Sequence, residues 1–213
     1  MHRTRLFCCV ALLSGCALLT PVQDDTHKGM LSSIPQDLPV EKTHAATLLV
    51  LAPATASVYD TTQMAYTTQT YEVAYFSRNE WAQTPAHMML PLMVETLRKT
   101  RYFSAVVPSP DFGHHTYALR TEIRSLKQDF TADPAMLELA VQFHLTREST
   151  HQIIATRVVS LREPMRERNP SAGVMAANEA AAKVLRELAR FVSENTEAPQ
   201  GSILRKVSSL NTK

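Results

Sequence analysis

The clearest candidates for catalytic chemistry in this chain are Asp111, His114 and His115, which lie in the short loop segment PSPDFGHH. A carboxylate beside two imidazoles could hold a metal ion or transfer protons as a general acid and base. The competing interpretation is a solvated loop that leads into a strand at Tyr117. The sequence favours the solvated loop, because no further ligand or nucleophile is associated with these three residues.

Other catalytic motifs are missing. The sequence contains no GxGxxG or GxxxxGK[ST] phosphate loop, no HExxH zinc motif and no GxSxG nucleophile elbow, and it has five glycines in all. We therefore expect no catalytic residue, no metal and no cofactor. A hydrolase built on Asp111, His114 and His115 stays open as an alternative.

The N-terminus has the pattern of an export signal. Arg3 and Arg5 precede an apolar stretch over residues 6–13. A membrane-spanning helix needs roughly 20 apolar residues, so this stretch is too short to cross a bilayer. A basic start, a short apolar middle and small residues at the exit predict a signal peptide over residues 1–15.

The exit from this signal predicts a covalent modification. Leu13, Ser14, Gly15 and Cys16 resemble the bacterial lipobox, in which the cysteine receives a diacylglycerol and becomes the new N-terminus. The alternative is an ordinary signal whose cysteine is incidental. Anchoring by acyl chains is strong once two or more are attached, because each buried methylene contributes about 0.8 kcal/mol. We therefore predict Cys16 as a lipidation site that binds the protein to a membrane.

Two further features agree with lipidation. Cys8 and Cys9 lie in the predicted signal, so a mature chain acylated on Cys16 would have no free thiol and no disulfide. Ala17 stands where aspartate is the usual inner-membrane retention signal. By that resemblance we expect an outer-membrane anchor, with the folded part in the periplasm.

The charge balance excludes one class of partner. The chain has 22 basic and 20 acidic residues, and loss of Arg3 and Arg5 leaves 20 of each. It shows no basic stripe of the kind that nucleic-acid-binding proteins carry. We expect no nucleic-acid partner.

Composition and periodicity divide the chain into four parts and predict an α+β fold. Residues 16–44 are polar and contain prolines, which indicates a lipid-anchored tether; residues 45–195 are predicted as one domain, and residues 196–213 as a flexible tail. Three long segments, over residues 115–130, 136–148 and 153–164, alternate apolar and polar residues with the period of strands, the last of them less regularly. One helix begins near Thr84 or near Pro91, and a second covers residues 171–195 with a surface ion pair between Glu179 and Lys183. We predict an antiparallel or mixed sheet of about five to six strands, with two main helices packed on one face.

Aromatic residues are concentrated in the early part of the predicted domain, namely Tyr59, Tyr66, Tyr71, Tyr75 and Trp81. Tyrosine and tryptophan pack in cores and at interfaces, with one polar end that needs a partner. These residues are interpreted either as packing against the helices or as a contact surface for a protein or a lipid.

Four segments in order resemble the ABC-type transport auxiliary lipoprotein family, which includes the PqiC-type lipoproteins of MCE (mammalian cell entry) lipid-trafficking systems. The segments are the aromatic stretch over residues 59–82, RYFSAVVP, YALRTEIRSLKQDF with its final acidic residue and phenylalanine, and the closing GVMAANEAAAKVLRELARFV. The resemblance covers roughly residues 46–194 together with the lipobox. The inserted Pro91, the interval before Ala46 and the tail depart from it.

The resemblance implies a non-catalytic role. Such proteins accompany an ABC permease and ATPase and an MCE-domain substrate-binding protein, and they help to move lipids or other hydrophobic molecules across the envelope. A homo-oligomer is left open. The alternative function is an outer-membrane assembly or maintenance lipoprotein that binds envelope proteins or lipopolysaccharide.

Overall fold

The computed structural model describes residues 25–40 and 43–196 of the chain, and this part forms a large mixed sheet with two helices. The α+β class predicted from the sequence is confirmed. The elements in chain order are β1 (His27–Gly29), β2 (His44–Val50), β3 (Ala54–Thr55), β4 (Gln63–Thr67), β5 (Ala74–Trp81), α1 (Pro85–Lys99), β6 (Phe103–Pro108), β7 (Tyr117–Asp129), β8 (Met136–Arg147), β9 (Gln152–Pro164) and α2 (Pro170–Asn195).

The long strand β7 organises the sheet. Along one edge it pairs antiparallel with β8, which pairs in turn with β9. Along its other edge it meets β2, β3 and β4 in succession, all parallel to it. Strand β6 adds parallel to β2, while β5 adds antiparallel to β4 and β1 adds parallel to β5.

The expectation of five to six strands was wrong, since the described part of the chain has nine. The undercount arises in part from two very short strands. β3 has two residues and β1 has three, which is too few to produce a visible period of two. Backbone pairing along β7 and β5 stabilises these short segments, and that pairing is a non-local property.

The core lies between the sheet and the helices. α2 packs on β8 and β9, α1 packs on β6 and β2, and the two helices contact each other, which places both on one face. The strand β8 illustrates the alternation that was predicted, because every second residue is almost fully buried: Leu137, Leu139, Val141, Phe143 and Leu145. A bulge on β7 between Ile123 and Ser125 changes the phase, so that Leu126 is the next apolar residue to point inward.

Helix α1 begins at Pro85 rather than at Pro91. Thr84 is its N-cap residue, and Pro85 occupies the first turn, where the missing amide hydrogen has no intrahelical partner to lose. The helix continues through Pro91, whose side chain lies on the exposed surface. The packing of Met89, Met93 and Leu97, each about 1% exposed or less, stabilises the helix despite the proline.

Lys183 and Glu179, expected to pair with each other on α2, each pair with a different residue. The Lys183 ammonium contacts both carboxylate oxygens of Glu163 on β9, at 2.6 and 2.7 Å, and Glu179 lies 4.0 Å from the Arg166 guanidinium. The carboxylate of Glu163 is nearly buried. The ion pair of Lys183 with Glu163 therefore joins α2 to the sheet and is not a contact within the helix.

Gly173, in the first turn of α2, allows a close approach between this helix and the sheet. A Cβ at Gly173 would overlap the side-chain amide of Gln128 on β7, which is 1% exposed and has little room to move. Alanine normally stabilises a helix relative to glycine by about 1 kcal/mol. At position 173 the overlap with Gln128 makes the substitution destabilising instead.

We expect Gly173→Ala to lower the free energy of unfolding by about 1–3 kcal/mol, as is typical of an overpacked core. Urea denaturation followed by circular dichroism measures the change. Gly113→Ala is the matched control, because a Cβ there would meet Asp111 at an ordinary contact distance of 3.5 Å. Unchanged or increased stability of Gly173→Ala would contradict the close approach.

Candidate functional site

The predicted lipidation site, Cys16 with Leu13, Ser14 and Gly15, lies outside the described residues. The structure instead shows where the chain that follows it joins the folded domain. Strand β1 pairs with β5 from His27 onward, with His27 opposite Asn79. The segment predicted as a tether thus contributes a strand to the sheet.

Residues after β1 are also held by the domain. Leu31 is 3% exposed and lies in the core, where its amide donates to the Met88 sulfur. Asn178 of α2 accepts hydrogen bonds from the amides of Ser32 and Ser33 at 2.8 and 3.1 Å, and its own amide donates to the Met30 carbonyl.

An exposed ion pair between Asp37 and Arg186 of α2 holds the same segment further along the chain, and the hydrogen bond from Arg186 lowers the pKa of Asp37. A force on the N-terminus would therefore act directly on β1 and on α2.

The candidate catalytic loop brings together only two of its three residues. The Nε2 atom of His115 lies 3.7 Å from an Asp111 carboxylate oxygen, and the other oxygen accepts from the Gly113 amide. His114 is exposed and takes no part in this contact. Among residues 25–40 and 43–196, no group of three His, Cys, Asp or Glu side chains lies close enough to hold a metal ion. In this geometry the Asp111 carboxylate holds the loop together through its contacts with His115 and with the Gly113 amide.

Two of the five singled-out aromatic residues face the helices. Trp81 is 3% exposed and belongs to the main core. The ring of Tyr66 lies 4.4 Å from that of Phe76, and both rings make edge contacts with Phe130. For Trp81 and Tyr66, packing is the interpretation that the contacts support.

The other three face away from the helices or into solvent. The Tyr75 hydroxyl donates to the Val58 carbonyl at 2.8 Å, and Tyr75 is 37% exposed. Tyr59 is half-buried next to it, and burial raises the pKa of the Tyr59 hydroxyl. Tyr71, in the turn between β4 and β5, is completely exposed with a left-handed φ of 69°. Sequence reasoning grouped these residues with Tyr66 and Trp81, and only the sheet register separates the two sets.

A charged network that sequence reasoning missed lies on the sheet face without helices. The Arg162 guanidinium contacts Asp129 at 2.6 Å and Glu138 at 3.2 Å, and Lys127 contacts the other oxygen of Glu138 at 3.2 Å. Asp129 also accepts from the hydroxyl and the amide of Thr131, at 2.5 and 2.9 Å. The alternation along β7, β8 and β9 places these charges on one face, which is the signal that could have found them.

Asp129 and Phe130 are the acidic residue and phenylalanine that end the third family-like segment, and together they close the turn between β7 and β8. Phe130 packs under the Arg168 guanidinium, 5.6 Å from its ring centre, while Arg168 donates to the carbonyls of Phe130 and Ala132. The segment therefore has a structural role in this turn.

Asp129 is expected to contribute to stability in a pH-dependent way. Burial raises the pKa of Asp129, but the hydrogen bonds from Thr131 and the charges of Arg162 and Lys127 outweigh burial and hold the pKa below its usual 3.8. A lowered carboxyl pKa adds stability above pH 3.8, and this contribution is lost as the pH falls below that value.

Asp129→Asn should therefore lower the free energy of unfolding at pH 7 by about 1 kcal/mol, because Arg162 is half exposed and solvent screens its charge. The difference from the unaltered protein should shrink below pH 3.8, as measured by urea denaturation across pH 3–7. Asp133→Asn, at an exposed position in the same turn, is the control. A difference that stays constant over this range would contradict the assignment.

No helix in the described ranges combines the length and apolar character that a membrane span requires. The comparison with protein families gives a match to the ABC-type transport auxiliary lipoprotein component over residues 30–189. The match begins just after β1 and ends in the last turns of α2.

Solved structures share the fold. Protein XCC0632 from Xanthomonas campestris superposes with a TM-score of 0.68 at 17% identity, covering 79% of this chain and 96% of that chain. A second crystal structure, of an uncharacterized protein, gives a TM-score of 0.64 at 14% identity, covering 78% and 98% of the two chains. None of the curated proteins compared matches the chain.

Proposed function

The chain belongs to the family of ABC-type transport auxiliary lipoprotein components, and on that premise we propose that it is a non-catalytic, lipid-anchored accessory subunit of an ABC transporter of the MCE type. Its anchor is Cys16, its membrane is the outer membrane, and its domain faces the periplasm. Its cargo is a lipid or another hydrophobic molecule. The observation that carries the proposal is the family match across nearly the whole folded domain.

The arrangement of the N-terminal segment supports this role. An accessory subunit that bridges a transporter and a membrane must resist being pulled away from either. The first described strand is hydrogen-bonded into the sheet, and Leu31 is buried in the core only four residues after His27. The chain that leads to the proposed anchor thus joins the domain through strand pairing and burial, and ten residues, 17–26, separate Cys16 from β1.

The helix-free sheet face is suited to binding rather than to catalysis. It carries mixed charges, among them Arg120, Lys127 and Arg162 with Glu122 and Glu138, which the register of β7, β8 and β9 brings together. Charges of both signs in a fixed arrangement select a partner of complementary pattern and guide its association. An MCE-domain protein or the permease is the partner we assign to this face.

Deletion of the gene in the native host tests the function. If the protein serves lipid transport, deletion changes the amount of phospholipid in the outer leaflet, measured as lipid released by an external phospholipase, while porins assemble normally. Misassembled porins with unchanged surface phospholipid would favour the assembly and maintenance alternative instead.

The same strain addresses the hydrolase alternative. A chain with Asp111→Ala and His115→Ala is expected to restore the phenotype as fully as the unaltered chain, because their contact only closes a loop. A double variant that is stable but fails to restore the phenotype would support the hydrolase alternative.

A further inference from the structure

The turn between β4 and β5 carries a small apolar surface that nothing in the described structure covers. We call it the tip: Val58, Tyr71, Val73 and Tyr75, which are 43%, 102%, 40% and 37% exposed. The hydrogen bond from the Tyr75 hydroxyl to the Val58 carbonyl joins the two loops that form it. The segment over residues 67–75 has one charged residue, Glu72, so the tip is nearly neutral.

Tyr71 is the most exposed member of the tip, and its backbone is in the left-handed region at φ 69°. That conformation costs about 1 kcal/mol or more for a residue with a Cβ. A fully exposed side chain receives no compensation from packing within the domain. Tyrosine combines an apolar ring with a polar hydroxyl and is enriched where membrane and water meet.

The strand directions show that the tip lies on the side where the anchor segment leaves the domain. β1 runs parallel to β5, and β5 runs antiparallel to β4, which is parallel to β7. The chain before His27 therefore leaves toward the C-terminal end of β7. The tip is at the same end, because Thr67 pairs with Asp129, the last residue of that strand.

The length of the anchor segment limits how far the tip can be from the membrane. Eleven peptide steps separate Cys16 from His27, so a fully extended chain spans at most about 40 Å. Tyr71 lies eight residues before Asn79, the partner of His27, and five of these steps run along β5 and span roughly 17 Å. An anchor segment of this length allows the tip to contact the bilayer that holds the acyl chains.

From these observations we infer that the tip inserts into the interfacial region of the membrane that holds the Cys16 acyl chains, and that it orients the domain with the C-terminal end of β7 toward the lipid. The inference rests on the proposed lipid anchor. The tip is a second, weak membrane contact, and its near-neutral charge makes zwitterionic phospholipid a sufficient ligand with little dependence on salt.

The test uses the acylated full chain, purified from membranes of the native host and reconstituted into phosphatidylcholine vesicles. Tyr71→Cys is labelled with an environment-sensitive fluorophore, since Cys16 is blocked by its thioether. Phe112→Cys is the matched control: Phe112 is a 99% exposed aromatic that precedes the opposite end of β7, roughly 40 Å away.

We expect the label at position 71 to shift to the blue, to brighten severalfold on reconstitution and to be quenched by brominated lipid chains, while the label at position 112 remains in water. Both proteins floating with the vesicles while both labels stay in water would overturn the inference and leave the anchor intact. A label at position 71 that becomes shielded only in a complex with a protein would assign the tip to that protein and overturn the lipid assignment.

Loss of both labelled proteins from the vesicles would show instead that the acyl anchor is absent. That result would overturn the proposed anchoring and this inference together. It is distinguishable by flotation alone, before any fluorescence is measured.

Discussion

Cys16→Ser is expected to remove the protein from the outer-membrane fraction and to abolish its ability to restore a deletion strain. Serine cannot form the thioether, so the chain loses acyl groups whose buried methylenes contribute on the order of 10 kcal/mol per chain. The loss should be nearly complete, measured by membrane fractionation and by incorporation of labelled palmitate.

Cys9→Ser is the matched control for this prediction. It removes a thiol seven residues earlier, within the predicted signal, and should leave acylation, fractionation and complementation unchanged. Equal acylation of the Cys16→Ser and control proteins would contradict the lipidation site.

Trp81→Ala is expected to cause the largest loss of stability among substitutions of the five aromatic residues singled out from the sequence. The side chain is 3% exposed in the core where β5 ends, and removing a buried aromatic of this size costs about 3–5 kcal/mol. For a domain of this length, that corresponds to a fall of about 6–20 °C in Tm. Thermal unfolding followed by circular dichroism measures it, because the only tryptophan is lost.

Tyr71→Ala is the control against which the stability loss of Trp81→Ala is compared. Tyr71 comes from the same aromatic segment but is fully exposed, so its substitution should change stability by no more than about 0.5 kcal/mol. Similar losses in the two variants would contradict the division of the segment into a packed set and an exposed set.

The sequence predicted the elements in which a periodic pattern repeats over many residues, and it missed those that depend on pairing with distant strands. β7, β8, β9 and α2 were predicted close to their observed bounds because twelve or more residues of alternation or helical spacing leave little ambiguity. β1 and β3 have no such pattern. They are stabilised by hydrogen bonds to β5 and β7, and a single sequence does not show which strands become neighbours.

The same distinction holds for side chains. Lys183 was assigned to Glu179 by helical spacing, but the nearly buried carboxylate of Glu163 on β9 binds it instead. Asp129 ends a strand with no local sign of its role, and its partner Arg162 is 33 residues away. The aromatic segment was recognised as unusual, yet only the register of β4 and β5 shows which rings enter the core.

The role as a transport accessory is tested most directly by quantitative mass spectrometry of what co-purifies with the acylated, tagged chain from native membranes, with the Cys16→Ser protein as the reference sample. We predict enrichment of an MCE-domain protein together with the permease and ATPase of one ABC transporter, dependent on Cys16. Stable recovery of the acylated chain with other envelope proteins, and with none of those three, would contradict the proposed function.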